Sequence, residues 1–155
     1  MGTYKFAQAG PSAVSMPQLS WAGRITILFL VILGLGALAG GIALVSRPDG
    51  SVMRFDASML AGSPFDDFLI PGLILGGLFG VGSLVVAAMG LRRSTVAPFL
   101  AFGIGCAQMI WIPVELAIIR DLSFLHPTFF AVGLVIAVAS VFWGWPTFQG
   151  WRASR

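Results

Sequence analysis

The run ITILFLVILGLGALAGGIALV occupies residues 25–45, with 21 residues and no charge. An α-helix rises about 1.5 Å per residue, so about 20 apolar residues cross a hydrocarbon core of about 30 Å. The run is therefore long enough to span a membrane. The alternative is a cleaved secretory leader, and Ala37-Leu38-Ala39 resembles a cleavage site. A leader's apolar core is shorter, about 7–15 residues. Here the apolar run exceeds that length and follows a long polar lead, so the sequence predicts a retained membrane helix.

The rest of the chain extends that reading. Its 155 residues are 57% hydrophobic and 10% charged, and the mean hydropathy is +0.94. A soluble domain carries about 25% charged residues. Three further apolar runs follow, at about 68–90, 96–119 and 127–145. A longer polar loop, 46–67, joins the first two. The basic turn LRRST and the short link RDLSFLH join the others. Residues 1–24 and 146–155 read as tails. The predicted fold is all-α, a bundle of four transmembrane helices in the lipid bilayer, with no repeat.

The net charge is +3. The basic residues lie in short segments between apolar runs, so they read as topology signals rather than a nucleic-acid surface. Four spans place both termini on one side, with Lys5, Arg24, Arg92, Arg93, Arg152 and Arg155. Arg47, Arg54 and Arg120 lie on the other. The excess favours cytoplasmic termini. Trp143, Trp145 and Trp151 fall where an interfacial aromatic belt is expected on the same side.

Several chemistries are excluded. One cysteine, Cys106, forms no disulfide within a chain. One histidine, His126, makes neither a bis-histidine haem site nor a multi-histidine zinc site; it reads as a solvated loop residue. The one lysine, Lys5, lies outside the spans, so no Schiff base forms in the bilayer. No HExxH or phosphate-loop pattern occurs. The four aspartates of the 46–67 loop region, Asp49, Asp56, Asp66 and Asp67, lack calcium-loop spacing. No catalytic residue, metal or cofactor is predicted.

Small residues mark the packing. Inside lipid, helices associate through close backbone approach rather than hydrophobicity. Gly72, Gly76 and Gly80 recur every four residues in the second run, and in the first Gly36 and Gly40, then Ala37 and Gly41, share that spacing. They predict close packing of these two helices, or a dimer interface. At the second helix start, AGSPFDDFLIPG, Ser63 reads as the N-cap, Pro64 as the first helical residue and Asp66 as the capping-box acid. Pro71 then bends the helix two turns later.

Glu115 is the ionisable group placed clearly inside a span, about 7–8 Å from the helix end near Arg120. Gln108 and Trp111 precede it by seven and four residues, on the same helical stripe. Pro113 lies beside that stripe. An intramembrane carboxylate is a functional candidate. Its depth near the interface also fits a purely structural hydrogen-bonding role.

The segments PDGSVMRFDASMLAGSPFDDFLIPGLILGGLFG and WIPVELAIIRDLSFLHPTFFAVGLV together resemble small uncharacterised bacterial integral membrane proteins of four helices. In these, an SPF-x-D-[FY]-x-IPG-like start opens the second helix and a WI-x-x-[EQ] stretch lies in the third. The resemblance covers about residues 45–135. It implies a multi-pass protein of the bacterial inner membrane and no particular reaction. It also implies that Gln replaces Glu115 elsewhere, which favours hydrogen bonding over obligate proton carriage.

The function expected from these features is a non-enzymatic membrane module acting through helix contacts, as a homo-oligomer or a subunit of a larger membrane assembly. The alternative is a small transporter or ligand-binding protein. Its site would lie near Glu115, Gln108 and Trp111, and would require a polar cavity reaching Glu115. A membrane enzyme would need cofactor ligands that the sequence lacks.

Overall fold

The computed structural model describes residues 19–119 and 123–153, with side chains described as far as residue 145. Most of the N-terminal tail with Lys5, the pair Arg120 and Asp121, the side chains of Trp151 and Arg152, and Arg155 lie outside the described residues. Four helices follow in order: α1 (Trp21–Ser46), α2 (Leu69–Leu91), α3 (Ala97–Ile119) and α4 (Leu125–Ala153). All four are long and apolar enough to cross a membrane, and no strand occurs among the described residues. The protein is an all-α four-helix bundle of the multi-pass membrane type. The end with the 47–68 loop is called the loop end below. The other, with the α2–α3 turn, is the terminal end.

α1 begins four residues before its apolar run because Ser20 caps it. The Ser20 Oγ accepts from the Gly23 N–H at 3.2 Å, which satisfies one of the first-turn donors. α4 runs past residue 145, to Ala153. Thus part of the segment 146–155, read as a tail, is helical.

The start of α2 corrects the capping prediction. The helix begins at Leu69, not near Pro64. Ser63 Oγ accepts instead from Phe65 N–H at 3.2 Å, closing a local turn. Asp66 caps nothing, and it is Asp67 whose Oδ1 accepts from Leu69 N–H at 2.9 Å. The physical reason is Pro71. A helix begun at Pro64 would need a Pro71 N–H in its interior, and that donor does not exist. Starting at Leu69 puts Pro71 in the first turn, where N–H groups have no intrahelical partner anyway. Pro71 marks a helix start rather than a kink two turns in.

α2 is not a uniform α-helix. Residues Ile74–Gly82, ILGGLFGVG, wind as a π-helix between two α-helical stretches. Runs of this length are rare. The stretch packs along α1, and the glycines are what permit the contact. A Cβ on Gly41 of α1 would collide with the Gly76 Cα and lie 2.8 Å from the Gly72 carbonyl oxygen. One on Gly80 would lie 3.0 Å from the Leu38 Cα. An i→i+4 step in an α-helix overshoots a turn by about 40°. The wider π turns reduce that drift, and Gly72, Gly76 and Gly80 all stay against α1.

The α1 side of this seam is Gly34, Leu38 and Gly41; of the residues the spacing marked, Gly41 lies on it and Gly36 and Gly40 do not. Gly36 and Gly40 lie two residues on from Gly34 and Leu38, about 200° round the helix. A Cβ on Gly36 would meet only the Phe129 ring tip at 3.8 Å, and one on Gly40 only the Leu75 side chain at 3.1 Å. A second seam joins α3 and α4. There a Cβ on Gly105 would lie 2.7 Å from the Gly133 oxygen, and one on Gly133 3.1 Å from Gln108 Cβ. Leu30, Leu33, Phe79 and Ile136 fill the centre of the bundle.

The 47–68 segment, read from sequence as a polar loop, is folded. Two short 3-10 turns, Ser51–Met53 and Ala57–Leu60, bring Leu60 and Phe68 onto Leu44 of α1. Phe68 is 1% exposed, and its ring stacks at a tilt on Phe55, 5.6 Å between centroids. Gly50 makes the chain reversal at φ +80, a conformation that favours glycine. A Cβ there would also lie 2.9 Å from the Phe55 and Phe68 side chains.

Candidate functional site

α1 and α4 touch closely at the terminal end. Trp143 of α4 seals the gap there, with its Nε1 3.0 Å from where a Gly23 Cβ would stand. Trp21 and Phe142 pair beside it, 6.4 Å between ring centroids. Toward the loop end the two helices part. At Gly36 the nearest α4 atom is the Phe129 ring tip, and at Gly40 no α4 atom lies within 4 Å of the Cβ position.

The space between them is a cavity of about 570 Å³. Gly36, Ala37 and Gly40 form its α1 wall, and His126 and Phe129 its α4 wall. α3 supplies the wall with Gln108, Trp111 and Glu115, while Met53, Phe55 and Met59 of the folded loop stand at the loop end. The seven residues from Gln108 to Glu115 correspond to about 10 Å along the helix. Gln108 lies at the middle of α3, so the polar stripe runs from mid-bundle toward the loop end. The structure thus brings all three sequence-selected residues to one surface. Pro113 lies within α3 without ending it.

The hydrogen bonding is uneven. Buried hydroxyls elsewhere in the bundle turn back onto their own helix: Thr26 Oγ1 donates to the Ala22 oxygen and Ser140 Oγ to the Ala137 oxygen, each at 2.9 Å. Among the described residues, three buried polar side-chain atoms find no partner of ordinary geometry, namely Ser83 Oγ, Gln108 Oε1 and Trp111 Nε1. Two of these three belong to the cavity wall. Gln108 is only 2% exposed, so its carbonyl has been taken from water without replacement. A group of this kind costs about 1–3 kcal/mol. Trp111 stacks on Phe79, 5.9 Å between centroids, which fixes the indole and leaves its N–H toward Glu115 without a bond of ordinary geometry.

His126 is the residue that sequence reasoning misplaced. It is buried, not solvated. Ser123 and His126 form the capping arrangement of α4. Ser123 Oγ accepts from Leu125 N–H at 3.3 Å, and the Ser123 N–H donates to His126 Nδ1 at 3.1 Å. This is a capping box with imidazole in place of the usual carboxylate. The same Nδ1 lies 3.2 Å from the Ser123 carbonyl oxygen, so its tautomer sets whether it accepts from the N–H or donates to that oxygen. The signal available in sequence was S-x-x-H ahead of an apolar run, with Pro127 marking a first turn.

Among the described residues, no three His, Cys, Asp or Glu side chains gather as a metal site. Cys106 is half-buried and its thiol is free. Asp49 and Asp56 lie outside the spans. Hydrogen bonds from the Ser51 and Ser58 backbone N–H groups hold their carboxyls below the usual value, with Arg47 adding to the effect at Asp49. Both serve loop turns rather than a site.

No family model, curated protein or solved structure matches this chain.

Proposed function

We propose that the protein is a non-enzymatic membrane receptor or carrier for an amphiphilic small molecule, bound between α1, α3 and α4. The observation that carries this reading is a cavity of about 570 Å³ lined on its α3 side by Gln108, Trp111 and Glu115. Ligand cavities typically measure about 300–1,000 Å³, mostly apolar with few polar groups that fix orientation. Gln108, Trp111 and Glu115 are the polar-bearing side chains on that wall, among otherwise mostly apolar neighbours.

The helix-contact reading loses its strongest support on the same grounds. The Gly72, Gly76 and Gly80 face packs on α1 of its own chain, so those glycines serve the fold. We further propose a bacterial inner-membrane location, cytoplasmic termini, and kinship with the small four-helix bacterial proteins noted above. Arg24, Arg92, Arg93 and the indoles of Trp21, Trp143 and Trp145 at the terminal end support that orientation.

The test uses the full chain in lipid nanodiscs and a brominated alkyl alcohol, whose bromine quenches nearby indoles. Saturable quenching that is lost in Trp111→Phe is expected. Quenching that never saturates, or that Trp111→Phe leaves unchanged, overturns the reading.

A further inference from the structure

The depth of the cavity and the side on which it opens specify its ligand; this step rests on the cavity being a binding site. Its α1 wall runs from Leu33 to Leu44 and its α3 wall from Gln108 to Ile119, eleven residue steps each. At about 1.5 Å per step each wall is about 16 Å long. Leu33 and Gln108 lie at the middle of their helices, and Leu44 and Ile119 near the loop end. The space therefore reaches from mid-bundle to the loop end. That is about half of a hydrocarbon core of about 30 Å, the depth of one leaflet.

The edge of the cavity reaches the outer face of α1. Ala39 belongs to the cavity wall and is exposed. It follows Ile32 by seven residues and Leu35 by four, and precedes Ile42 by three, so the four share one stripe of the helix. Ile32, Leu35 and Ile42 are exposed apolar side chains, which a membrane helix turns to lipid. α4 does not cover this edge. The Phe129 ring tip stands 3.8 Å from the Gly36 Cβ position, and no α4 atom lies within 4 Å of that of Gly40. On its α2 side Trp111 stacks on the buried Phe79, so the open way from lipid to the indole is the gap between α1 and α4.

Polarity is graded along the same axis. Glu115, Ser123 and His126 line the end near the loop, and Leu33, Gly36 and Ala37 the deep end. Gln108, also deep, is only 2% exposed, so little of it meets the space. A bilayer lipid carries the same gradient, polar at the interface and hydrocarbon toward the midplane. A chain that moves from lipid into an apolar cavity gains no hydrophobic energy. It gains contact: an unfilled apolar space forfeits dispersion along its lining, and a chain restores it.

We propose that the cavity holds one acyl chain of a bilayer lipid, taken sideways between α1 and α4 from the leaflet at the loop end. The headgroup stays at the level of Glu115, Ser123 and His126, the chain passes Trp111, and its tip reaches Leu33. No covalent step is involved.

The full chain in nanodiscs of a phosphatidylcholine with a diazirine in mid-chain tests this. Light turns the diazirine into a carbene that inserts into whatever it touches, and peptide mass spectrometry maps the labelled residues. Label is expected on Trp111 and Leu75 inside the cavity as well as on outward residues such as Ile110. Gly36→Phe sets a ring against Phe129 across the gap and should abolish the inner label while the outer label stays. Ala39→Phe, at an exposed position of the rim, should do the same and stands in should the first variant not fold. Ile32→Phe lies on the same stripe two turns away, outside the cavity, and should keep the wild-type inner label. Label confined to outward residues in the wild-type protein overturns the proposal. So does inner label that survives both rim variants, or that Ile32→Phe removes equally. If the brominated alcohol still quenches Trp111 saturably in those cases, the occupant is a free amphiphile and the binding reading stands. If it does not, the binding reading falls as well.

Discussion

Two faces of α1 use glycine in opposite ways. On the α2 side, Gly34 and Gly41 remove volume so that another backbone can take it, and the space closes completely. On the α4 side, Gly36 removes volume that only the Phe129 ring tip approaches, and the space beside it is a cavity. The residue type is the same, and the three lie within about two turns of one helix. The difference lies in what stands opposite: a glycine-rich π stretch on one side, and on the other a helix that leans away from its Trp143 contact. Small residues in a membrane helix therefore report missing volume. Whether a neighbour or a ligand occupies it depends on the second helix.

The sharpest way to break this comparison is alanine at each kind of position. In Gly41→Ala the new methyl runs into Gly76 backbone, which cannot rotate aside. Overpacking of this sort costs about 3 kcal/mol or more when the obstacle is main chain. Gly36→Ala meets only ordinary contact with Phe129, so its effect should lie between nothing and a gain of about 1 kcal/mol from helix propensity. Thermal unfolding in mild detergent measures both. Equal losses would show that the α4 side is as closely packed as the α2 side, and the cavity account would fall.

A smaller effect, of opposite sign, tests the seam helix itself. Ser83 is fully buried where the π stretch of α2 returns to α-helix, and its Oγ has no partner. Unlike Gln108 and Trp111, it does not line the cavity. Ser83→Ala removes an unsatisfied hydroxyl and should stabilise the protein by about 1 kcal/mol, read by the same unfolding measurement. A loss of similar size would mean that Ser83 has a partner.

These residues also show what the sequence could and could not disclose. The four spans were legible because about 20 uninterrupted apolar residues have few other physical uses. The α2 glycines were legible because small residues at four-residue spacing make a contact face. The choice between Gly36 and Gly34 on α1 was not, since both patterns have helical period and only the partner's position selects one. The π stretch was hidden for a related reason: its hydrogen-bond register answers to the fit against α1, not to composition. The polar stripe Gln108, Trp111 and Glu115 could be read from spacing, but its cavity could not, because the opposite wall comes from α1 and α4. His126 was lost because a histidine before a proline looks like a loop. The folded loop was lost because Phe55, Leu60 and Phe68 are separated by turns and show no periodicity.

The loop gives the mildest test, since it stands at the loop end of the bundle and meets the seam only near Leu44 and Gly72. Asp49 Oδ1 accepts from Ser51 N–H at 3.0 Å and Asp56 Oδ1 from Ser58 N–H at 2.8 Å. These bonds favour the charged carboxylates and hold both below the ordinary value of 3.8. The sign follows from that depression. The contribution to loop order is fully present above the unfolded value and is lost as pH falls through the folded one. Both carboxyls are exposed, so the effect is local and slight. Hydrogen exchange of the 50–60 amides, corrected for intrinsic rates, should show protection at pH 5 that declines by pH 3. Amides of the α1–α2 seam face no such carboxylate and should hold their protection across that range. A parallel decline in both regions would make the loop part of one cooperative unit with the seam. An unchanged loop would show that Leu60 and Phe68, through apolar burial on Leu44, hold the loop closed without help from either carboxylate.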